Sequence, residues 1–141
     1  VEEGSTYPYT ARNGHCKYDV AEATSVGVTT YENVTADNVT QMKAAVALQP
    51  TSVSLEADQA CFQMYSSGIL TPSAGCGTSL DHATLVVGYG TDTSTDTPMD
   101  YWIMKNSWGT SWGQEGYMQL EIVSGDGVCG IQMEPLYPTA D

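Results

Sequence analysis

His82 and Asn106 are the two side chains whose types and settings could do chemistry together. His82 lies in "SLDHATLVVGYG" (79–90), between Asp81 and the small Ala83, just ahead of an alternating apolar run. An imidazole with its ordinary pKa of ~6.5 takes up and returns a proton near neutral pH, and small neighbours leave the ring accessible. A lone histidine is more often structural than catalytic, so a partner is needed. Asn106 lies in "YWIMKNSWGTSWGQEGY" (101–117). An amide oxygen that accepts a ring N–H fixes the tautomer and direction of an imidazole. Beside a thiolate, an imidazolium needs no carboxylate partner. Trp108 and Trp112 follow closely, and an indole over the His–Asn hydrogen bond would shield it from water. A polar turn beside core aromatics is the competing reading, but a glycine-rich turn rarely needs two tryptophans.

These two residues must be held by neighbouring strands. His82 opens the strand "HATLVVGYG", the polar loop "TDTSTDTPMD" follows, and "YWIMK" leads into Asn106. "EGYMQLEIV" alternates again, with Met118, Leu120 and Ile122 on one face. Upstream, "TADNVTQMKAAVAL" reads as a helix capped by Asp37 or Asn38, with Val39, Met42 and Val46 on one face and Pro50 ending it. "TSVSL" alternates as a strand, and "QACFQMYSSGI" reads as a short helix or turn finished by Gly68. Residues 1–30 read as loop and short extended pieces. Strands at hairpin distances with one helix predict an α+β chain: an antiparallel, β-rich domain with a helix packed on it.

Composition narrows the partners. The 141 residues carry a formal net charge of −13, with Arg12, Lys17, Lys43 and Lys105 the basic side chains. No basic stripe exists to displace phosphate counterions, so nucleic acid is not an expected partner, and neither is an anionic membrane surface. No run approaches the ~20 apolar residues of a membrane span. The acidity suits an acidic compartment, where protonation of carboxylates relieves self-repulsion. The sequons Asn33-Val34-Thr35 and Asn38-Val39-Thr40 are glycosylation candidates and point to a secretory route. The four cysteines, Cys16, Cys61, Cys76 and Cys129, allow two bridges with three connectivities. No cluster has metal-ligand spacing, and His15 is remote in sequence from His82.

"LDHATLVVGYG", "YWIMKNSWGTSWGQEGY", "GVCGIQMEPLYP" and "STYPYTARNGHC" together resemble the papain-like cysteine peptidases, the papain and cathepsin L group. The match runs in order from about Val1 to Pro138. In that family His and Asn lie about 130–150 residues after the nucleophilic Cys, which occupies a C-G-[SA]-C-[WY] motif. Counting back from His82 places that cysteine roughly 50 to 70 residues before Val1. The motif does not occur here, so the nucleophile is expected on a segment absent from this chain.

The resemblance implies a papain-like fold. Residues 1–30 would be the trailing segment of the helical left-hand domain, and 31–141 the β-rich right-hand domain carrying His82 and Asn106. It implies a Cys76–Cys129 disulfide, whose closed loop of about fifty residues would contribute roughly 4 kcal/mol. Cys16 would find its partner in the N-terminal part, on the same chain or on a separate, disulfide-linked one. Cys61 matches no common family bridge and needs no role as a small buried hydrophobe. Ser54, Leu80, Asp81, Ala83 and Glu134 would contact substrate. Leu80 and Ala83 suit an apolar side chain, and Glu134 would lie partly desolvated at the floor of the subsite, admitting arginine. Trp108 would floor the leaving-group side.

The implied function is part of a cysteine endopeptidase acting on peptides or proteins. No metal or organic cofactor is implied, the chain alone is expected to be inactive, and the compartment is lysosome- or vacuole-like, or extracellular. The alternatives are an inactive papain-like module with a binding or structural role, and a storage or allergen-like protein that kept only the fold. The intact His82, Asn106 and Trp108 favour the peptidase.

Overall fold

The computed structural model describes residues 3–10, 12–24 and 27–140. The strands are β1 (Thr30–Asn33), β2 (Thr51–Leu55), β3 (Ile69–Leu70), β4 (His82–Asp92), β5 (Met99–Lys105), β6 (Tyr117–Glu121) and β7 (Leu136–Thr139). The helices are α1 (Val39–Leu48) and α2 (Ala60–Gln63), with 3-10 turns at Pro72–Ala74 and Val128–Gly130. The strands form a sheet in the order β1-β7-β2-β4-β5-β6-β3. The chain separates into two compact units, Glu32–Tyr137 and Val1–Tyr31 with Pro138–Asp141.

The helix starts where a side chain satisfies one of its free first-turn N–H groups. Asn38, of the two expected candidates, supplies the cap: its Oδ1 accepts from Gln41 N at 3.0 Å. Gln41 Oε1 in turn accepts from Thr35 N at 3.2 Å, which fixes the entering chain. Met42, Ala45 and Val46 bury one face of α1. On the solvent side of this contact, Lys43 Nζ reaches Asp100 Oδ2 of β5 at 2.9 Å.

Alternation decides which side of each strand is buried. Thr51, Val53 and Leu55 of β2 point inward, as do Met118 and Leu120 of β6. They surround Trp102 and Met104 of β5, Val86 of β4, Met42, Phe62 and Ile131, all of them essentially inaccessible to water. Trp102 brings its polar Nε1–H into this core, where Gln132 Oε1 accepts it at 3.1 Å. The same Gln132 amide donates to Gly125 O at 2.6 Å and Val123 O at 2.9 Å. A single buried glutamine thus ties the core tryptophan to the 123–125 loop.

Two features depart from expectation. The stretch 91–100 is not all loop: Thr91 pairs with Asp100 and Asp92 with Met99, so the β4–β5 hairpin closes later. Threonine favours extended backbone, and Thr91 Oγ1 donates to Asp100 Oδ1 at 2.6 Å, joining the two strands. The sheet is also not wholly antiparallel, because β3 runs parallel to β6 over two residue pairs.

Candidate active site

Antiparallel pairing of β4 with β5 puts the start of β4 and the end of β5 at the same edge of the sheet. His82 opens β4, opposite Leu55 of β2, and Asn106 follows the last residue of β5. The Asn106 N–H donates to Gly116 O at 2.9 Å, anchoring the turn that returns to β6. That turn needs glycine at 113: φ is +58°, and a Cβ there would meet Tyr117 O at 2.6 Å.

His82 Nε2 and Asn106 Oδ1 lie 2.9 Å apart. The tautomer follows from the second bond to that oxygen. Ser107 N–H donates to Asn106 Oδ1 at 2.8 Å, which identifies this amide atom as the oxygen. An amide oxygen only accepts, so Nε2 must carry the proton. Nδ1 is then the nitrogen free to take up or release a proton. The other end of the amide is exposed to no solvent: Asn106 Nδ2 is buried and has no hydrogen-bond partner among the described residues. Asn106 itself is buried and His82 half-buried.

An aromatic cluster supports the pair. The Trp108 ring lies 5.1 Å from the His82 ring at an interplanar angle of 32°. Phe62 meets Trp108 edge-on at 5.5 Å and His82 at 6.2 Å. Trp112 packs on Phe62 at 5.3 Å, and its Nε1–H donates to Gln63 O at 3.2 Å. Tyr65 extends the cluster to β6, donating to Gly68 O at 2.6 Å and accepting from Gln119 N at 3.2 Å. Burial pushes its phenol above the usual tyrosine range, and the Gln119 N–H offsets part of that. Sequence reasoning overlooked Phe62. Its signal was its position as the chain's single phenylalanine on the short apolar stretch 60–65.

Asp81 holds the loop that delivers His82. Its Oδ1 accepts from Ala57 N at 2.8 Å, and its N–H donates to Leu55 O at 3.0 Å. The buried Glu56 holds the same loop from below, accepting from Ser79 N at 3.2 Å and Gln59 Nε2 at 3.0 Å. The expected Cys76–Cys129 disulfide is present. Cys16 is a free, exposed thiol.

Ser54, Leu80, Asp81, Ala83 and Glu134 line one open depression of about 410 Å³ together with His82. The structure therefore brings the sequence-predicted contact residues together, Trp108 excepted, which packs on the His82 ring instead. Glu134 is exposed. In this chain the carboxylate expected to be partly desolvated in the complete enzyme lies at an open depression. Asn33 is exposed, whereas Asn38 is half-buried and committed to its cap. Among the described residues no group of three or more His, Cys, Asp or Glu is placed to hold a metal. No described helix is long and apolar enough to cross a membrane.

The class of protein follows from this fold. The bromelain protease of Ananas comosus, solved in complex with an inhibitor, matches with a TM-score of 0.87 at 41% identity, over 99% of this chain and 63% of that one. A recombinant stem bromelain precursor matches with a TM-score of 0.87 at 39% identity, over 100% of this chain and 45% of that one. The chain belongs to the papain family of cysteine proteases, whose family model matches residues 1–139. Among sequence relatives, cysteine proteinase COT44 of Brassica napus is 43% identical over 134 residues, 94% of this chain and 39% of the relative. Germination-specific cysteine protease 1 of Arabidopsis thaliana is 44% identical over 135 residues, 94% of this chain and 34% of the relative. The chain thus spans little more than a third of the length of these two relatives. The expected fold class, the β-rich, mostly antiparallel part of a papain-like fold, is the one observed.

Proposed function

We propose that this chain supplies the histidine side of the active site of a cysteine endopeptidase. The observation that carries the reading is the Nε2–Asn106 Oδ1 contact of 2.9 Å, with the amide oriented by Ser107 N–H. It leaves His82 Nδ1 as the proton-exchanging atom. A cysteine thiolate on the N-terminal part of the complete protease attacks the peptide carbonyl. The His82 imidazolium protonates the leaving amine, and the neutral ring then draws a proton from the water that releases the acyl group. Asn106 keeps the ring aligned through both steps, and Trp108 covers the cluster. No residue of this chain is assigned the nucleophile, and by itself the chain is inactive.

In this reading residues 1–30 trail from the helical domain, 31–141 form the β-rich domain, and Cys16 pairs with a cysteine of the N-terminal part. Ser54, Leu80, Asp81, Ala83, Glu134 and Trp108 contact a peptide or protein substrate. Nucleic acid and membrane are not partners of so acidic a chain. The compartment is lysosome- or vacuole-like, or extracellular, and of the two sequons the exposed Asn33 is the better glycan acceptor. The intact His–Asn geometry disfavours an inactive binding or structural module, because such a module has no chemical use for an oriented imidazole.

The test is a His82→Ala variant of the complete protease, assayed on a dipeptidyl fluorogenic substrate. The expected loss is at least a hundredfold in kcat, the lower end of what general acid–base catalysis contributes. Activity within tenfold of the unaltered protein overturns the reading.

A further inference from the structure

Three of the four cysteines meet at the loop that leads into His82. Cys76, in that loop, is bonded to Cys129 of the Val128–Gly130 turn. The free thiol of Cys61, on α2, lies 3.2 Å from Cys76 Sγ. That is closer than the optimal separation of ordinary non-bonded carbon atoms, about 3.5–4.0 Å. Cys61 is half-buried, and Cys129 is only 1% exposed, so the three sulfurs are sheltered together.

We propose that Cys61, Cys76 and Cys129 form an intramolecular thiol–disulfide exchange site with two alternative bonds to Cys76. The thiolate of Cys61 attacks Cys76 Sγ. A Cys61–Cys76 bond forms as the Cys76–Cys129 bond breaks, and the electron pair leaves on Cys129 Sγ. The proton lost by Cys61 is matched by the one Cys129 takes up, so no oxidant or reductant is consumed. Exchange depends on the attacking thiolate, so it proceeds at neutral to alkaline pH and slows in acid.

A second observation makes Cys129 the fitting leaving group. Its φ is +56°, a left-handed conformation that a non-glycine residue adopts at a cost. The Cys76–Cys129 bond thus joins the loop to a residue held in a costly conformation. The two bonded states also differ at the site. With Cys129, the loop is tied to the C-terminal segment, whose Cys129 O accepts from Glu56 N at 2.9 Å. With Cys61, it is tied to α2, whose Phe62 packs on His82 and Trp108. The choice of bond therefore sets which element braces the histidine loop. That consequence rests on the proposed protease reading; the exchange itself does not.

The experiment maps disulfides in the complete protein. Wild type, Cys61→Ser and His82→Ala are each held at pH 8 without added thiol, acid-quenched to freeze exchange, and cleaved with pepsin in acid. Mass spectrometry then identifies linked peptides. The expected result is both Cys76–Cys129 and Cys61–Cys76 linked peptides in wild type and in His82→Ala, with complete loss of the second in Cys61→Ser. A wild type that yields only Cys76–Cys129, with Cys61 always a thiol, overturns the proposal. Mapping reads no hydrolysis, so its failure is distinct from failure of the protease reading, which the His82→Ala assay decides.

Discussion

The imidazole of His82 and the amide of Asn106 share one oriented hydrogen bond, and its direction is set by a third residue. Oδ1 of Asn106 receives both Nε2 of His82 at 2.9 Å and the backbone N–H of Ser107 at 2.8 Å. Replacing Asn106 by Ala removes the ring's orienting acceptor while the aromatic packing stays. A hydrogen bond to a charged group contributes about 1.5–3 kcal/mol, so kcat of the complete protease should fall about 10- to 150-fold, with KM little changed. Steady-state kinetics within twofold of wild type would remove Asn106 from the machinery.

Phe62 is the packing residue on which this geometry depends. It is fully buried and touches His82, Trp108 and Trp112. Phe62→Ala should cost about 3–5 kcal/mol of stability, since a buried ring is lost and a cavity is left. Denaturant unfolding of the complete protein measures this. A cost below about 1 kcal/mol would mean that the cluster collapses to fill the space.

The strands flanking the site were legible because each has one wet and one dry face. The alternation in "YMQLE" identified Met118 and Leu120 as core, and the polar pair Asp37-Asn38 before Val39 located the helix start within one residue. Five features were not legible. The Thr91–Asp100 pairing is hidden by a loop-like composition. The two-residue parallel pairing of β3 is too short to leave a periodic signal. Phe62 and Gln132 depend on long-range contacts, with partners 20 to 50 residues away in sequence for Phe62 and 30 for the Trp102–Gln132 bond. Cys61 appeared inert because its relation to Cys76 exists only once α2 and the histidine loop are packed together.

Gln132 offers a test of the buried polar network. Gln132→Leu nearly conserves volume but leaves Trp102 Nε1 and the carbonyls of Val123 and Gly125 without this partner. Each buried group left unpaired costs about 1–3 kcal/mol, and the loop carbonyls can recover some of that from water. A loss of about 2–4 kcal/mol is expected, with faster amide exchange through 123–127. A neutral substitution would show that the loop already exchanges these bonds with solvent.

The Lys43–Asp100 pair gives a pH signature. The hydrogen bond from Lys43, with that from Thr91, holds the Asp100 carboxyl below its ordinary value. A carboxyl whose folded pKa is depressed stabilises the fold above its unfolded pKa of ~3.9 and loses that contribution as pH falls through the folded value. Both side chains are partly exposed, so the pair contributes at most about 1 kcal/mol. Asp100→Asn should therefore unfold slightly earlier than wild type in denaturant at pH 6. The gap should narrow as pH falls below the ordinary carboxyl value, close once the depressed folded value is passed, and shrink in high salt. A gap that is independent of pH would show that the carboxylate's charge contributes nothing here.

Glu134 tests substrate choice at the depression beside His82. Its carboxylate is exposed and shares the pocket with Leu80 and Ala83. An apolar substrate side chain can use Leu80 and Ala83 without disturbing the carboxylate. An arginine two residues before the scissile bond can pair with it, but across water-accessible space. Exposed ion pairs contribute about 0.2–1 kcal/mol, so the carboxylate should favour arginine over its absence by about 1.4- to 5-fold. Glu134→Ala should lower kcat/KM for an arginine substrate by that factor and leave a leucine substrate nearly unchanged. Raising the salt from low ionic strength to about 1 M, where the screening length drops to about 3 Å, should erase most of the difference. The measurement is the arginine-to-leucine ratio of kcat/KM for both proteins at the two salt concentrations. An unchanged ratio at low salt would place Glu134 outside the subsite and leave Leu80 and Ala83 as its determinants.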